Sequence, residues 1–313
     1  MNGIVVYKQM TPISFAISAL LTTMSVMPEL PEVETVRLQL LTKVVGKTIK
    51  IVTILHPKTV AHDDTFITRL TGKTIDHIDR VGKLLIWSFR ISPDLFLLAH
   101  LKMTGQFFFR DKTGVIGGGH SRTETDMRAL PSTHTRVSLT FTDDSALFFN
   151  DMRLFGYTKL ATKEEMEAAR AHYGEEPIHD SFDKATFATR LKRRKTPIKA
   201  ALLDQSFIAG LGNIYVDEAL FKAAVRPTRR ADHVTTKEAY AIAEASGSIM
   251  RHSITVGGTT FQHFVDTGGN NGNYTDFLQV FGKQNTPCPK CGTLIMKIRV
   301  AVRGTHFCPQ CQK

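Results

Sequence analysis

A chain of 313 residues with 42% hydrophobic and 22% charged side chains is long enough for two packed domains and a small third module. Forty Lys and Arg against 29 Asp and Glu give a formal net charge of +11, which favours a polyanionic partner. All four cysteines fall within the last 26 residues, which excludes a secreted disulfide scaffold and points to a reducing, cytoplasmic compartment.

Residues Gln9 to Pro28 carry no charge and follow Lys8, as a signal peptide would. The run from Ile13 to Val26 is diluted by Ser14, Ser18, Thr22, Thr23 and Ser25, lacks a small-x-small cleavage site and is too polar to span a membrane. Residues 1–27 are therefore expected to be a leader or a mis-assigned start, outside the fold. Met27 to Thr35 then reads M-P-E-L-P-E-V-E-T, an acidic stretch in a basic chain. From Pro31, the residues Val33, Val36, Leu40, Leu41 and Val44 fall at helical spacing. Pro31 suits a first helical turn, Glu32 and Glu34 complement its positive end, and Gly46 stops it.

Lys47 to Leu55, Lys83 to Phe89, Leu95 to Phe109 and Arg136 to Phe149 alternate as strands, the last turning at Asp143-Asp144. The Gly- and Thr-rich insert from Asp111 to Ser132 predicts a mobile surface loop. After Lys159 the pattern becomes helical over Glu164–His172, Lys184–Leu191, Thr196–Ile208, Asn213–Ala224 and Thr236–His252. Thr196-Pro197 reads as an N-cap and first-turn pair. The expected fold is α+β and multidomain. An N-terminal helix plus antiparallel β-sandwich covers 28–160, an all-α domain 161–285, and a Cys-punctuated finger 286–313.

Cys288, Cys291, Cys308 and Cys311 form two C-x2-C pairs separated by sixteen residues, with Ile295 to Phe307 alternating between them like a hairpin. Four thiolates on two knuckles suit one tetrahedral, structural zinc ion, the alternatives being iron in its place or a redox disulfide pair. The hairpin also carries Lys297, Arg299 and Arg303, a basic surface suited to phosphate. Gly210 to Tyr215, G-L-G-N-I-Y, joins two helical stretches and could hold an anion at the helix opened by Asn213. Just upstream, Lys184 to Lys199 contains seven basic residues and no acid. H-L-K-M-T-G at His100–Gly105 and D-M-R-L-F-G at Asp151–Gly156 place bulky side chains beside glycine at turns. Such a Met/Arg/Phe set suits filling the gap left by an extruded base. Pro28 is inert as an amide, but as a first residue it becomes a secondary amine that can attack a sugar C1′ and form an iminium ion. Glu29 beside it could move the protons.

These motifs, with V-G-K at Val81–Lys83 and R-G-T-H-F-C-P-Q-C-Q at the end, resemble the bacterial formamidopyrimidine-DNA glycosylases from Met27 to Lys313. That resemblance implies an N-terminal sandwich, a helix–two-turn–helix domain and a zinc-ribbon-like finger. It implies a monomeric DNA glycosylase and abasic-site lyase excising oxidised purines from duplex DNA by β,δ-elimination. Pro28 would be the Schiff-base nucleophile and Glu29 its acid. Lys83 would serve the lesion phosphate and β-elimination, and Arg303 phosphate binding and δ-elimination. Met103, Arg153 and Phe155 would fill the void, with Arg153 facing the orphaned cytosine. His134, Lys195, Lys199 and Asn213 would contact the DNA backbone, and Asp266 to Tyr274 would form a loop over the flipped base. Leu154 departs from the Arg or Lys common in the family. The alternatives are an endonuclease VIII-like enzyme for oxidised pyrimidines and a catalytically silent damaged-DNA binder whose proline is blocked by the leader.

Overall fold

The computed structural model describes residues 27–118, 130–259 and 274–313. The leader before Met27, part of the Gly-rich insert and the expected loop up to residue 273 lie outside the described residues.

Helix α1, Leu30–Val44, begins where the sequence places it. The Glu29 N–H donates to Glu32 Oε2 at 2.9 Å, satisfying one of the free donors at the helix start. Gly46, at φ +81, releases the chain from the helix. Two antiparallel sheets follow. The five-stranded sheet has the order β1 (Ile49–Ile54), β7 (Thr135–Phe141), β8 (Ala146–Asp151), β5 (Gly105–Asp111) and β6 (Gly114–Gly118). The four-stranded sheet runs β2 (Ile75–Val81), β3 (Leu84–Phe89), β4 (Ser92–His100) and β9 (Tyr157–Ala161). Between them lie Trp87, Phe107, Phe141, Phe149 and the inner face of α1, together with Phe66 and Leu70 from the short helix α2, Phe66–Leu70.

The helical domain contains α4 (Lys184–Leu191), α5 (Ile198–Leu203), α6 (Asn213–Lys222) and α7 (Thr236–Thr255). Leu30 packs in its core, whereas Val33, Val36, Leu40 and Val44 of the same helix pack in the sandwich core. Helix α1 thus belongs to both. A second link is ionic: Arg80, nearly buried, holds Glu34 at 2.8 Å and Glu176 at 2.7 Å. The finger is the hairpin of β10 (Met296–Val300) and β11 (Arg303–Phe307), which turns at Ala301 and Val302, both at positive φ.

Several expectations change. Helix α3, Lys163–Ala171, packs on the outer face of the four-stranded sheet, with Met166 and Ala169 against Leu84, Ile86 and Leu98. It therefore extends the N-terminal unit beyond residue 160. The expected helix from Thr196 to Ile208 is only six residues long, because Pro197 caps it and Asp204 turns the chain by accepting from Ser206 N–H at 3.0 Å. Leu95 to Phe109 is two strands, β4 and β5. Gly117 and Gly118 of the insert pair with Phe108 and Phe107 as an edge strand.

Candidate active site

The N-terminus of α1 faces the N-terminus of α6, and Glu29 joins them. Its carboxylate is buried and accepts the N–H groups of Gly212 at 2.7 Å, Ile214 at 2.8 Å and Tyr215 at 3.3 Å. The anion held at the G-L-G-N helix start is thus a side chain of this protein. Gly212 is required by space: a Cβ would lie 2.3 Å from Glu29 Cδ. Gly210 sits at φ +93 and its carbonyl accepts the Leu30 N–H at 3.0 Å. Burial pushes the Glu29 pKa up, to about 7; Lys83 opposes the shift, Glu32 adds to it and the N–H donors oppose it. A carboxyl group of this kind holds and releases a proton near neutrality. Pro28 precedes it and is itself buried.

Lys83 is buried and donates to the Leu211 carbonyl at 3.0 Å, so one peptide unit, Leu211–Gly212, touches both Lys83 and Glu29. Burial lowers the Lys83 pKa; Glu29 and Glu32 oppose this, and Arg303 and Lys102 reinforce it. Glu32 accepts the Tyr215 hydroxyl at 2.6 Å and the Thr259 N–H at 2.7 Å, tying α1 to α6 and to the end of α7. His100 completes the group. Burial, then Lys102 and Lys83, push its pKa down to about 3, so the ring is neutral. Its Nδ1 accepts the Lys102 N–H at 3.0 Å, which leaves Nε2–H as the donor.

Arg303 is exposed at the start of β11. The hairpin is fixed from beneath, where Asn213 Nδ2 donates to the Gly304 carbonyl at 3.1 Å. Lys199, expected to contact the DNA backbone, is instead buried. Its side chain has no solvent exposure, and its ammonium donates to Asp217 at 2.7 Å and to the Gly304 carbonyl at 3.1 Å. A buried lysine needs a paired carboxylate, and Asp217 supplies it. Lys195 does reach solvent. His134 is half-buried beside the Arg153 turn, its carbonyl accepting the Asp151 N–H at 2.8 Å.

Arg153 is exposed, its guanidinium 5.0 Å from the ring centre of Phe155, which is 50% exposed. Met103 is half-buried in the adjacent turn. His100, Thr104 and Asp151 stand inside the sequence motifs but carry no role legible there, and Met152, 59% exposed, carries none either. Buried His100 and Asp151 had a signal available: polar residues closing apolar strands need internal partners.

The four cysteine Sγ atoms lie within 4.8 Å of one another, with Cys291–Cys308 at 3.5 Å and Cys288–Cys311 at 3.9 Å. Tetrahedral zinc with bonds near 2.3 Å separates its sulfurs by about 3.8 Å, whereas a disulfide needs about 2.05 Å. The set fits one closed, structural zinc ion. Cys288 and Cys308 pack with Phe221 and Val280, so the metal site seats the finger on the helical domain.

Comparison with known proteins agrees with this geometry. Residues 27–158 match the formamidopyrimidine-DNA glycosylase N-terminal domain, 173–265 the formamidopyrimidine-DNA glycosylase H2TH domain, and 286–313 the zinc finger found in FPG and IleRS. The formamidopyrimidine-DNA glycosylase of Ligilactobacillus salivarius is 40% identical over 290 residues, 91% of this chain and 99% of that one. The Lactococcus lactis Fpg in complex with abasic-site DNA is 33% identical at a TM-score of 0.79, covering 91% of this chain and 99% of that one. The same relative in complex with N7-benzyl-Fapy-dG DNA also superposes at 0.79, with 33% identity and coverage of 91% and 100%. Sandwich, helical domain and finger define a DNA glycosylase of the helix–two-turn–helix class. Within that class, the chain belongs to the formamidopyrimidine-DNA glycosylase family of DNA repair enzymes. Among the described residues, no helix is long and apolar enough to cross a membrane.

Proposed function

We propose that this chain excises oxidised purines, 8-oxoguanine and formamidopyrimidines, from duplex DNA and then cleaves the abasic site by β,δ-elimination. The observation that carries the reading is Glu29. It is a buried acid with a pKa near 7, held by three backbone N–H groups immediately after Pro28. Pro28, as a free secondary amine, attacks C1′ of the flipped nucleotide, and the base leaves with the bonding electron pair and takes up the proton that the proline nitrogen gives up. Glu29 protonates O4′ as the sugar opens, and a C1′ iminium remains. With no N–H left to lose, the iminium draws in the electrons of the C2′–H bond as the Glu29 carboxylate takes that proton, and the 3′ phosphate departs; loss of the C4′ proton in a second elimination expels the 5′ phosphate.

Lys83, buried beside Glu29, and Arg303, exposed on β11, carry the charge that meets these phosphates. His100 supports the same reading, because its neutral ring offers Nε2–H next to Lys83 and Lys102. Lys195 and the finger's basic residues add phosphate contacts, so binding weakens with salt. Asn213 and Lys199 act at one remove, by fixing the hairpin that carries Arg303. Met103, Arg153 and Phe155 fill the place of the extruded base, and one zinc ion holds the finger. The Lactococcus relative's complexes with abasic-site and N7-benzyl-Fapy-dG DNA support this substrate class; we further propose that the chain works as a monomer in the cytoplasm.

The chemistry requires Pro28 to be a free amine, and the family match begins at residue 27. Borohydride trapping tests the proposal. Residues 28–313 and the full chain are each incubated with a duplex carrying 8-oxoguanine opposite cytosine. The trimmed protein is expected to form a covalent adduct and the full chain, with Pro28 as an amide, none. No adduct with the trimmed protein overturns the nucleophile assignment.

A further inference from the structure

Filling a void from two separate turns requires the turns to keep a fixed spacing, and one buried carboxylate joins them. Asp151 ends β8 with no solvent exposure. Its Oδ2 accepts the Gly156 N–H at 2.6 Å and its Oδ1 the Arg153 N–H at 3.2 Å. Oδ1 also accepts the hydroxyl of Thr104, which follows Met103 in the other turn. The Thr104 oxygen in turn accepts the Arg153 N–H at 3.0 Å. One hydroxyl therefore donates to and accepts from the opposite turn.

Neither turn would hold its shape by residue preference alone. Leu154 sits at φ +57 and Lys102 at φ +51, left-handed conformations that side-chain-bearing residues avoid. The first is braced by the two N–H bonds to Asp151 on either side of Leu154, and the second by the Lys102 N–H on His100 Nδ1. Gly156 allows the close approach: a Cβ there would lie 2.9 Å from the Phe149 ring and 3.1 Å from Asp151 Oδ2. The Thr104 hydroxyl is the side-chain link between the braced turns.

We infer that Thr104 and Asp151 are positioning residues that fix Met103 relative to Arg153 and Phe155, and so set the enzyme's selectivity for the base opposite the lesion. The inference rests on the void-filling role proposed above for those three side chains. Loss of the Thr104 hydroxyl leaves each turn its own bonds and the strand pairing of Gly105 with Asp151 at their base, but frees the turn tips to move apart, so Arg153 no longer meets the orphaned base at hydrogen-bonding distance.

The test uses residues 28–313 and three substrates: duplexes with 8-oxoguanine opposite cytosine or adenine, and a single-stranded abasic oligonucleotide that presents no void. Thr104→Val is expected to lower the cytosine-over-adenine excision ratio by about fivefold or more, the value of one well-placed base contact. Thr104→Ser, which keeps the hydroxyl, should restore the ratio, and single-strand trapping serves as the reference for each variant. Asp151→Asn should lower the ratio too, with melting temperature measured to separate misfolding from mispositioning. Arg153→Ala and Met103→Ala are run alongside. If they lower the ratio and Thr104→Val does not, the positioning role is overturned and the void-filling reading stands. If neither lowers it, the void-filling reading fails and the inference falls with it.

Discussion

Replacing Glu29 with glutamine isolates the energetic cost of keeping an acid in this site. The folded protein raises the Glu29 pKa from 4.5 to about 7, so the fold binds this proton more tightly than the unfolded chain does. The stabilisation is therefore complete below pH 4.5 and is lost as pH rises through about 7. That interval corresponds to about 3 kcal/mol. Glutamine has nearly the same shape and does not titrate. The stability of Glu29→Gln relative to the parent should therefore rise by about 3 kcal/mol between roughly pH 4 and pH 8. Urea denaturation at the two pH values measures it, followed by the fluorescence of Trp87, the single tryptophan, which is fully buried in the sandwich core. Lys83 opposes the shift, so Lys83→Met should carry the Glu29 titration to higher pH in the same assay. A difference between variant and parent that stays constant within about 0.5 kcal/mol across the range would show that burial does not control this carboxyl group.

Gly212→Ala places a Cβ 2.3 Å from Glu29 Cδ, and should cost about 1–3 kcal/mol in denaturation while slowing borohydride trapping of the trimmed protein. Lys199→Met leaves Asp217 buried without its cation, and should destabilise the docked finger by about 3–5 kcal/mol. Limited proteolysis between the helical domain and the finger reads that loss directly. Removing zinc with a chelator should expose all four cysteines to a thiol reagent and abolish duplex binding, because the finger has only a small hydrophobic cluster of its own.

What was legible in the chain was local chemistry. The start of α1, the spacing of the cysteines and the opening of α6 each depend on residues a few positions apart. What stayed hidden depends on distant partners. Lys199 lies in a run of cations that reads as a solvated face, and only the fold reveals Asp217 behind it. Strand β2, I-D-H-I-D-R-V, carries few apolar residues and a register shift between Ile75 and His77, so its alternation is weak although its pairing with β3 is extensive. Helix α3 reads as helical, but which domain it covers is decided by Leu84, Ile86 and Leu98 on the sheet beneath it.

Glu29 shows the limit most sharply, because local physics gives the opposite sign. An acid at the positive end of α1, beside the N–H groups that open α6, should have its pKa held low. Three of those N–H groups do bind it, and those of Ile214 and Tyr215 act in that direction. Burial between the two helix starts is larger, and the result is an acid that is about half protonated at neutral pH. Leu211–Gly212 explains why such a site stays ordered, since its carbonyl takes the Lys83 ammonium and its N–H takes the Glu29 carboxylate. Acid and amine are thus held by opposite ends of one peptide unit. The glycine in that unit is fixed by the space Glu29 occupies, and its own backbone angles, φ −136 and ψ −158, do not demand one.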